Sequence, residues 1–116
     1  MRVYNGITVI YTWKIKSYFQ NMRLEDDKIE FLKRTIQLAI PEAKVYLFGS
    51  RTDDAAKGGD IDILVLAQEK CTLSQKIDIR VGFVERFGEQ KLDIVSFTHN
   101  DTDPFKTIAL STAVQL

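Results

Sequence analysis

Two carboxylates one residue apart open an apolar run in this chain, Asp60-Ile61-Asp62-Ile63-Leu64-Val65. In a β-strand, residues i and i+2 point to the same side. Asp60 and Asp62 therefore share a face, with Cα atoms roughly 6.5–7 Å apart by the strand rise. Charges leading into an apolar strand are costly unless paired or bound to a cation. Such a pair suits hard divalent ions held jointly with substrate phosphates. A third carboxylate, Asp93, sits near the start of a later run, Leu92-Asp93-Ile94-Val95-Ser96-Phe97. Upstream, Gly49-Ser50-Arg51 closes another apolar run. Gly49 lets the backbone approach a phosphate closely. Ser50 can donate its hydroxyl and backbone N–H to phosphate oxygens, and Arg51 is a candidate phosphate contact. An isolated Asp-x-Asp or Gly-Ser pair is common on ordinary strands and turns. Together the features suggest metal-dependent phosphoryl or nucleotidyl transfer, with Asp60, Asp62 and Asp93 as candidate catalytic residues and metal ligands.

The elements that must position these residues are legible in the hydrophobic pattern. From Leu24, the apolar residues Ile29, Leu32, Ile36 and Ile40 recur at helical spacing, flanked by Phe31 and Leu38. Glu25, Asp26 and Asp27 suit the positive end of that helix, and Pro41 stops it near Ile40. Lys44–Phe48 reads as a strand ended by Gly49-Ser50. Residues 51–59 are polar, with Gly58-Gly59 as a turn before the carboxylate strand, which runs from about Asp60 to Ala67. In it, Ile61, Ile63 and Val65 face one way while Asp60, Asp62, Leu64 and Leu66 face the other, the pattern of a central strand covered on both sides. A helix is expected over Leu73–Phe87, with Ile77, Val81 and Val84 as its apolar stripe, broadened by Ile79, Phe83 and Phe87. Gly88 ends it. The Asp93 strand spans Leu92–Phe97. Asp103-Pro104 then reads as the cap and first turn of a short helix to about Ala113. The order α-β-β-α-β-α predicts an α/β (α+β) fold, a small mixed sheet with flanking helices.

The chain has 116 residues, enough for one core. Sixteen basic and sixteen acidic side chains cancel, which argues against direct nucleic-acid binding of the nonspecific kind. With one cysteine, Cys71, and one histidine, His99, no zinc site of the usual ligands can be built, and no internal disulfide can form. The expected compartment is a reducing cytoplasm. No segment approaches the roughly 20 apolar residues that span a bilayer. Residues 1–21 contain Arg2, Lys14 and Lys16 but no acid, and are rich in aromatics, including Tyr4, Tyr11, Trp13 and Tyr18. They read either as an edge strand or hairpin, or as a disordered tail or upstream artefact ahead of a true start at Met22. Asp53, Asp54, Lys57, Asp78, Glu85, Glu89 and His99 read as solvated, and Tyr46 and Phe48 as core residues that can border a pocket.

The run from Leu47-Phe48-Gly49-Ser50-Arg51 to Gly59-Asp60-Ile61-Asp62-Ile63-Leu64-Val65, with Asp93 later, resembles the minimal nucleotidyltransferases of the DNA polymerase β-like superfamily. The resemblance covers roughly Leu24 to Leu116, within a domain placed at residues 22–116. It implies two magnesium ions held by Asp60, Asp62 and Asp93, with Asp93 also available as a base, and a nucleoside triphosphate held by Gly49 and Ser50. Two departures fall in the loop after Ser50. The spacer, residues 51–59, is one residue shorter than the usual pattern, and Arg51-Thr52-Asp53-Asp54 replaces the family's Arg-Ala-Arg-Gly. Relatives of this size are commonly paired with helical HEPN-domain toxins. The resemblance therefore implies an antitoxin that forms a hetero-oligomer with such a toxin and transfers AMP from ATP to a toxin tyrosine. Two other functions compete with it. One is a catalytically idle antitoxin acting by occlusion. The other is a transferase acting on a small molecule or RNA.

Overall fold

A computed structural model describes residues 26–49 and 60–116. The N-terminal extension, Ser50, Arg51 and the rest of the 51–59 spacer lie outside the described residues. The elements are α1 (Asp26–Ala39), β1 (Lys44–Phe48), β2 (Ile61–Ala67), α2 (Leu73–Phe87), β3 (Leu92–Thr98), α3 (Pro104–Thr112) and β4 (Val114–Gln115). The strands form one sheet in the order β3-β2-β1-β4. β1 runs antiparallel to both β2 and β4, and β2 runs parallel to β3. This is the mixed sheet with flanking helices expected from the pattern. β4 was not expected. Two residues are too few for a periodic signal, and they form a strand because the Leu47↔Val114 and Tyr46↔Gln115 pairings and the Leu116 N–H to Val45 carbonyl bond (2.8 Å) complete the β1 edge.

β2 is inner and buried on both sides, as its alternation implies. Ile61, Ile63 and Val65 face a core built with Leu32 and Ile36 of α1 and Ile79 and Phe83 of α2. Leu64 and Leu66 face a smaller core with Phe48, Phe97 and Ala109 of α3. Phe83 is wholly buried and packs edge-on to Phe31, with ring centroids 6.0 Å apart. Removing such a side chain from water contributes about 1.5–3 kcal/mol. α1 and α2 approach closely at Gly82, where an added Cβ would lie 3.2 Å from the Phe31 ring.

The stripe expected to anchor α2 is corrected by this packing. Ile77, Val81 and Val84 are exposed, together with Leu73, and the buried stripe is Ile79 and Phe83 with Phe87 packed beside them. Both stripes have helical spacing, and what decides between them is the Phe31–Phe83–Phe87 aromatic cluster, a tertiary contact that periodicity does not contain. Leu38 and Ile108 are likewise exposed.

The helix ends follow local chemistry. Thr72 caps α2 through a reciprocal pair: the Gln75 N–H donates to Thr72 Oγ1 (3.1 Å) and the Thr72 N–H donates to Gln75 Oε1 (2.9 Å). Gly88, at φ +88°, ends α2 with its N–H donating to the Val84 carbonyl (2.8 Å). Asp103 caps α3 by accepting from the Phe105 N–H (2.9 Å). The β3–α3 loop is fixed by Lys106, whose ammonium donates to the carbonyls of Thr98, His99 and Asp101 at 2.9, 2.9 and 3.2 Å.

Candidate active site

The three acids meet at one end of the sheet, where β1 finishes and β2 and β3 begin. The register sets this up. Phe48 of β1 lies opposite Asp62 of β2, and Asp62 lies opposite Asp93 of β3. Cross-strand partners share a face and neighbouring strands are about 4.8 Å apart. Asp62 and Asp93 are therefore adjacent on one side. Asp60, two residues before Asp62, shares that side and lies just ahead of the strand. It is the side that carries Leu64, Leu66 and Phe97, so the acids continue the α3-facing surface beyond the apolar core.

Hydrogen bonds pin this end of β3. The Ile61 N–H donates to the Lys91 carbonyl (2.9 Å), the first rung between β2 and β3. The Arg80 Nε–H of α2 donates to the Leu92 carbonyl (2.9 Å). The residues on either side of these bonds are Asp60, Asp62 and Asp93.

Gly49 closes the site from the β1 side. It has φ +78°, and a Cβ built on it would lie 2.5 Å from Asp62 Oδ2, 3.1 Å from Asp62 Cγ and 3.3 Å from Asp62 Cβ. Only glycine meets both demands, a left-handed backbone and a carboxylate directly against the α-carbon. This contact with the Asp62 side chain was not expected from the sequence, where Gly49 was read only for its approach to a phosphate.

The electrostatics are those of crowded like charges. Asp62 is half-buried. Burial foremost, then the Asp93 and Asp60 charges and a hydrogen bond with the Asp93 side chain, raise its carboxyl above the ordinary value, and Lys91 partly offsets them. Lys91 Nζ lies 3.6 Å from Asp60 Oδ2 and 3.8 Å from Asp93 Oδ2. Neither Lys91 nor Arg80 was singled out in the sequence. For Lys91 the signal was available, since it precedes Asp93 by two and an extended chain puts both on one side. The Arg80 contact had none, because a side chain reaching a backbone carbonyl leaves no spacing pattern.

Among the described residues, no group of three or more His, Cys, Asp or Glu side chains forms a cluster able to hold a metal ion by itself. Magnesium does not require one, since it is commonly bound by one or two carboxylates together with substrate phosphates and water. The donors here are all hard oxygens. Their mutual repulsion at Asp62 and the ammonium drawn between two of them show that this end of the sheet favours a cation. The residues therefore fit a divalent ion shared with a substrate. His99, Asp78, Glu85 and Glu89 are exposed, as their reading as solvated residues implies. Phe48 is buried against Phe105, with centroids 6.0 Å apart.

The family model described as "Polymerase beta, Nucleotidyltransferase" matches residues 29–116. No curated protein matches the chain. Solved structures that share its fold include three toxin–antitoxin complexes. Two are mutants of the toxin–antitoxin complex MntA–HpeT. A double Asp-to-Glu mutant has a TM-score of 0.60 at 19% identity, over 79% of this chain and 71% of the other. A Tyr-to-Ala mutant has a TM-score of 0.57 at 22% identity, over 80% and 71%. The third is the tri-AMPylated HEPN toxin of Shewanella oneidensis in complex with its MNT antitoxin, with a TM-score of 0.51 at 21% identity, over 76% and 70%.

Proposed function

Because the chain belongs to the polymerase beta nucleotidyltransferase family, we propose that its three-acid site transfers AMP from ATP to a tyrosine of a HEPN-domain toxin and that the protein acts as that toxin's antitoxin. The single observation that carries the catalytic part is the register Asp62↔Asp93, which sets the third acid beside the first two on one face. The partner and the acceptor are suggested by the similar complexes, one of which holds an AMPylated HEPN toxin.

In this reading Asp60 and Asp62 would hold magnesium shared with the triphosphate, and Asp93 would be the third carboxylate of the site and its base. Magnesium, when bound, neutralises charge that develops on the phosphate oxygens. The Asp93 carboxylate accepts the tyrosine Oη proton as Oη bonds to the α-phosphorus. The bond from that phosphorus to the bridging oxygen breaks, and pyrophosphate leaves with its electrons. Gly49 lets Asp62 stand directly behind the β1 turn, so that turn and carboxylate address one triphosphate. Ser50 and Arg51 complete the phosphate contacts.

The test is intact-mass analysis of the co-expressed HEPN partner, with and without ATP and magnesium, using wild type and Asp62→Ala. Addition of AMP to a partner tyrosine by wild type and not by Asp62→Ala is the expected result. Full neutralisation by Asp62→Ala with no mass added by wild type would replace catalysis with occlusion. Transfer of labelled AMP to RNA or a small acceptor, with none to the partner, would move the acceptor elsewhere. No helix among the described residues is long and apolar enough to cross a membrane.

A further inference from the structure

We infer that Lys91 is the site's own counter-cation: its ammonium balances Asp60 and Asp93 when no divalent ion is bound and gives way when one enters. The inference rests on the metal-binding part of the proposed function and adds a residue to it.

Three observations carry it. The first is position. Lys91 Nζ spans carboxylates from two separate segments, 3.6 Å from Asp60 and 3.8 Å from Asp93. These are the two acids that flank Asp62. The second is how the lysine is mounted. Its carbonyl is fixed by the Ile61 N–H, and the next carbonyl, that of Leu92, is fixed by Arg80, so the backbone beneath the side chain is held from both β2 and α2. The third is freedom at the other end. The Lys91 side chain is 65% exposed, and both contacts are longer than a tight charged hydrogen bond. A fixed root, a flexible stem and two loose ion pairs describe a cation that can leave without disturbing the strands.

The physical consequence is competition. An ammonium paired with the ligands stabilises the metal-free state, and a divalent ion must displace it. Ion pairs this exposed are individually weak. The penalty on metal binding is therefore modest, tuning affinity while keeping the acids from repelling one another in the interval between turnovers. A lysine that merely decorates the surface would leave metal affinity unchanged.

The experiment uses the full chain and Mn2+ as the probe, with free ion followed by electron paramagnetic resonance. Lys91→Met is expected to bind Mn2+ about three- to tenfold more tightly than wild type, the size expected for losing two part-exposed ion pairs. Its metal-free melting temperature should fall below wild type, and saturating Mn2+ should close the gap. Lys70→Met is the control for net charge. Lys70 pairs with Asp101 in the loop beyond β3, 4.0 Å away, at the other end of the sheet. Its removal should leave Mn2+ affinity within about twofold of wild type. Equal or weaker Mn2+ binding by a folded Lys91→Met would overturn the inference and leave the metal reading of the site standing. Absence of Mn2+ binding by wild type would overturn both.

Discussion

Replacing Gly49 by alanine tests the contact on which the geometry of the site depends. Two costs are separable. The first is conformational: at φ +78° a Cβ meets the backbone, worth about 1–2 kcal/mol. The second is a collision: the new methyl would lie 2.5 Å from Asp62 Oδ2 and 3.1 Å from its Cγ. The carboxylate must move by about 1 Å to reach ordinary contact, and overpacking of this kind costs about 1–3 kcal/mol. The sum, about 2–5 kcal/mol, is a large share of the stability of a small domain. Gly88 supplies the comparison. Its φ is +88° and an added Cβ would meet nothing within 4 Å, so Gly88→Ala should cost a backbone term alone, about 1–3 kcal/mol for its own region at ψ 176°. The assay is urea unfolding followed by circular dichroism, for both single variants, Asp62→Ala and the Gly49→Ala/Asp62→Ala double variant. Asp62→Ala removes the two atoms nearest the added methyl. In that background the cost of Gly49→Ala should shrink by about 1–3 kcal/mol, a coupling well above the 0.3–0.5 kcal/mol scatter of independent sites. Additive effects would refute the contact. The proposed transfer should fall at least about a hundredfold in Gly49→Ala, because a ligand displaced by about 1 Å no longer positions the reaction. A variant that retained wild-type activity would show that Asp62 is not where the reaction needs it.

Other variants probe the charges and the core. Asp62→Asn relieves like-charge crowding at a half-buried site; it should raise the metal-free melting temperature at neutral pH while abolishing transfer, and a lower melting temperature would contradict the electrostatic reading. Burial raises the Cys71 thiol above its ordinary value of 9.0, with Lys76 partly offsetting it. Its contribution to stability is therefore complete below about pH 9 and is lost as pH rises through the higher folded value. Cys71→Ala should flatten the alkaline arm of a melting-temperature profile, and native Cys71 should react with iodoacetamide at pH 8 only as fast as the chain opens. Phe83→Ala should cost about 3–5 kcal/mol, whereas Ile77→Ala, on the exposed stripe of the same helix, should cost about 1 kcal/mol or less. Similar urea midpoints for the two would reverse the assignment of the α2 faces.

What the sequence made legible is what local rules govern. The span of α2, the Gly88 stop, the Asp103 cap and the alternation of β2 all follow from propensity, capping or period, and each stands in the structure as read. The side-by-side placement of Asp62 and Asp93 needed one more step, the parallel register of β2 and β3, which the matching offset of each acid from its strand start allows but does not require. Tertiary choices were not legible. Ile77 and Phe83 compete for the interior on equal periodic terms, and Phe83 is inside because Phe31 of another helix receives it. β4 exists only because β1 offers an unpaired edge. For Lys91 only half was legible: its spacing to Asp93 lies in the sequence, but its contact with Asp60, far away in the chain, depends on the pairing of β2 and β3.

The direction of the strands beneath the acids has a consequence for the order in which ligands arrive. In sheets of parallel strands joined by helices, anions settle beyond the carboxyl ends, where helix N-termini point. Here the acids stand at the opposite end of β2 and β3. α2 and α3 start beyond the far ends of those strands, and the last turn of α2, with its partial negative charge, leads the chain back toward Asp93. ATP diffusing in alone would therefore meet repulsion from the acids and none of the attraction that α2 and α3 provide at their starts. For the proposed reaction, the nucleotide should enter already chelated or follow the ion, and a titration with ATP in the presence of a chelator should register almost no association.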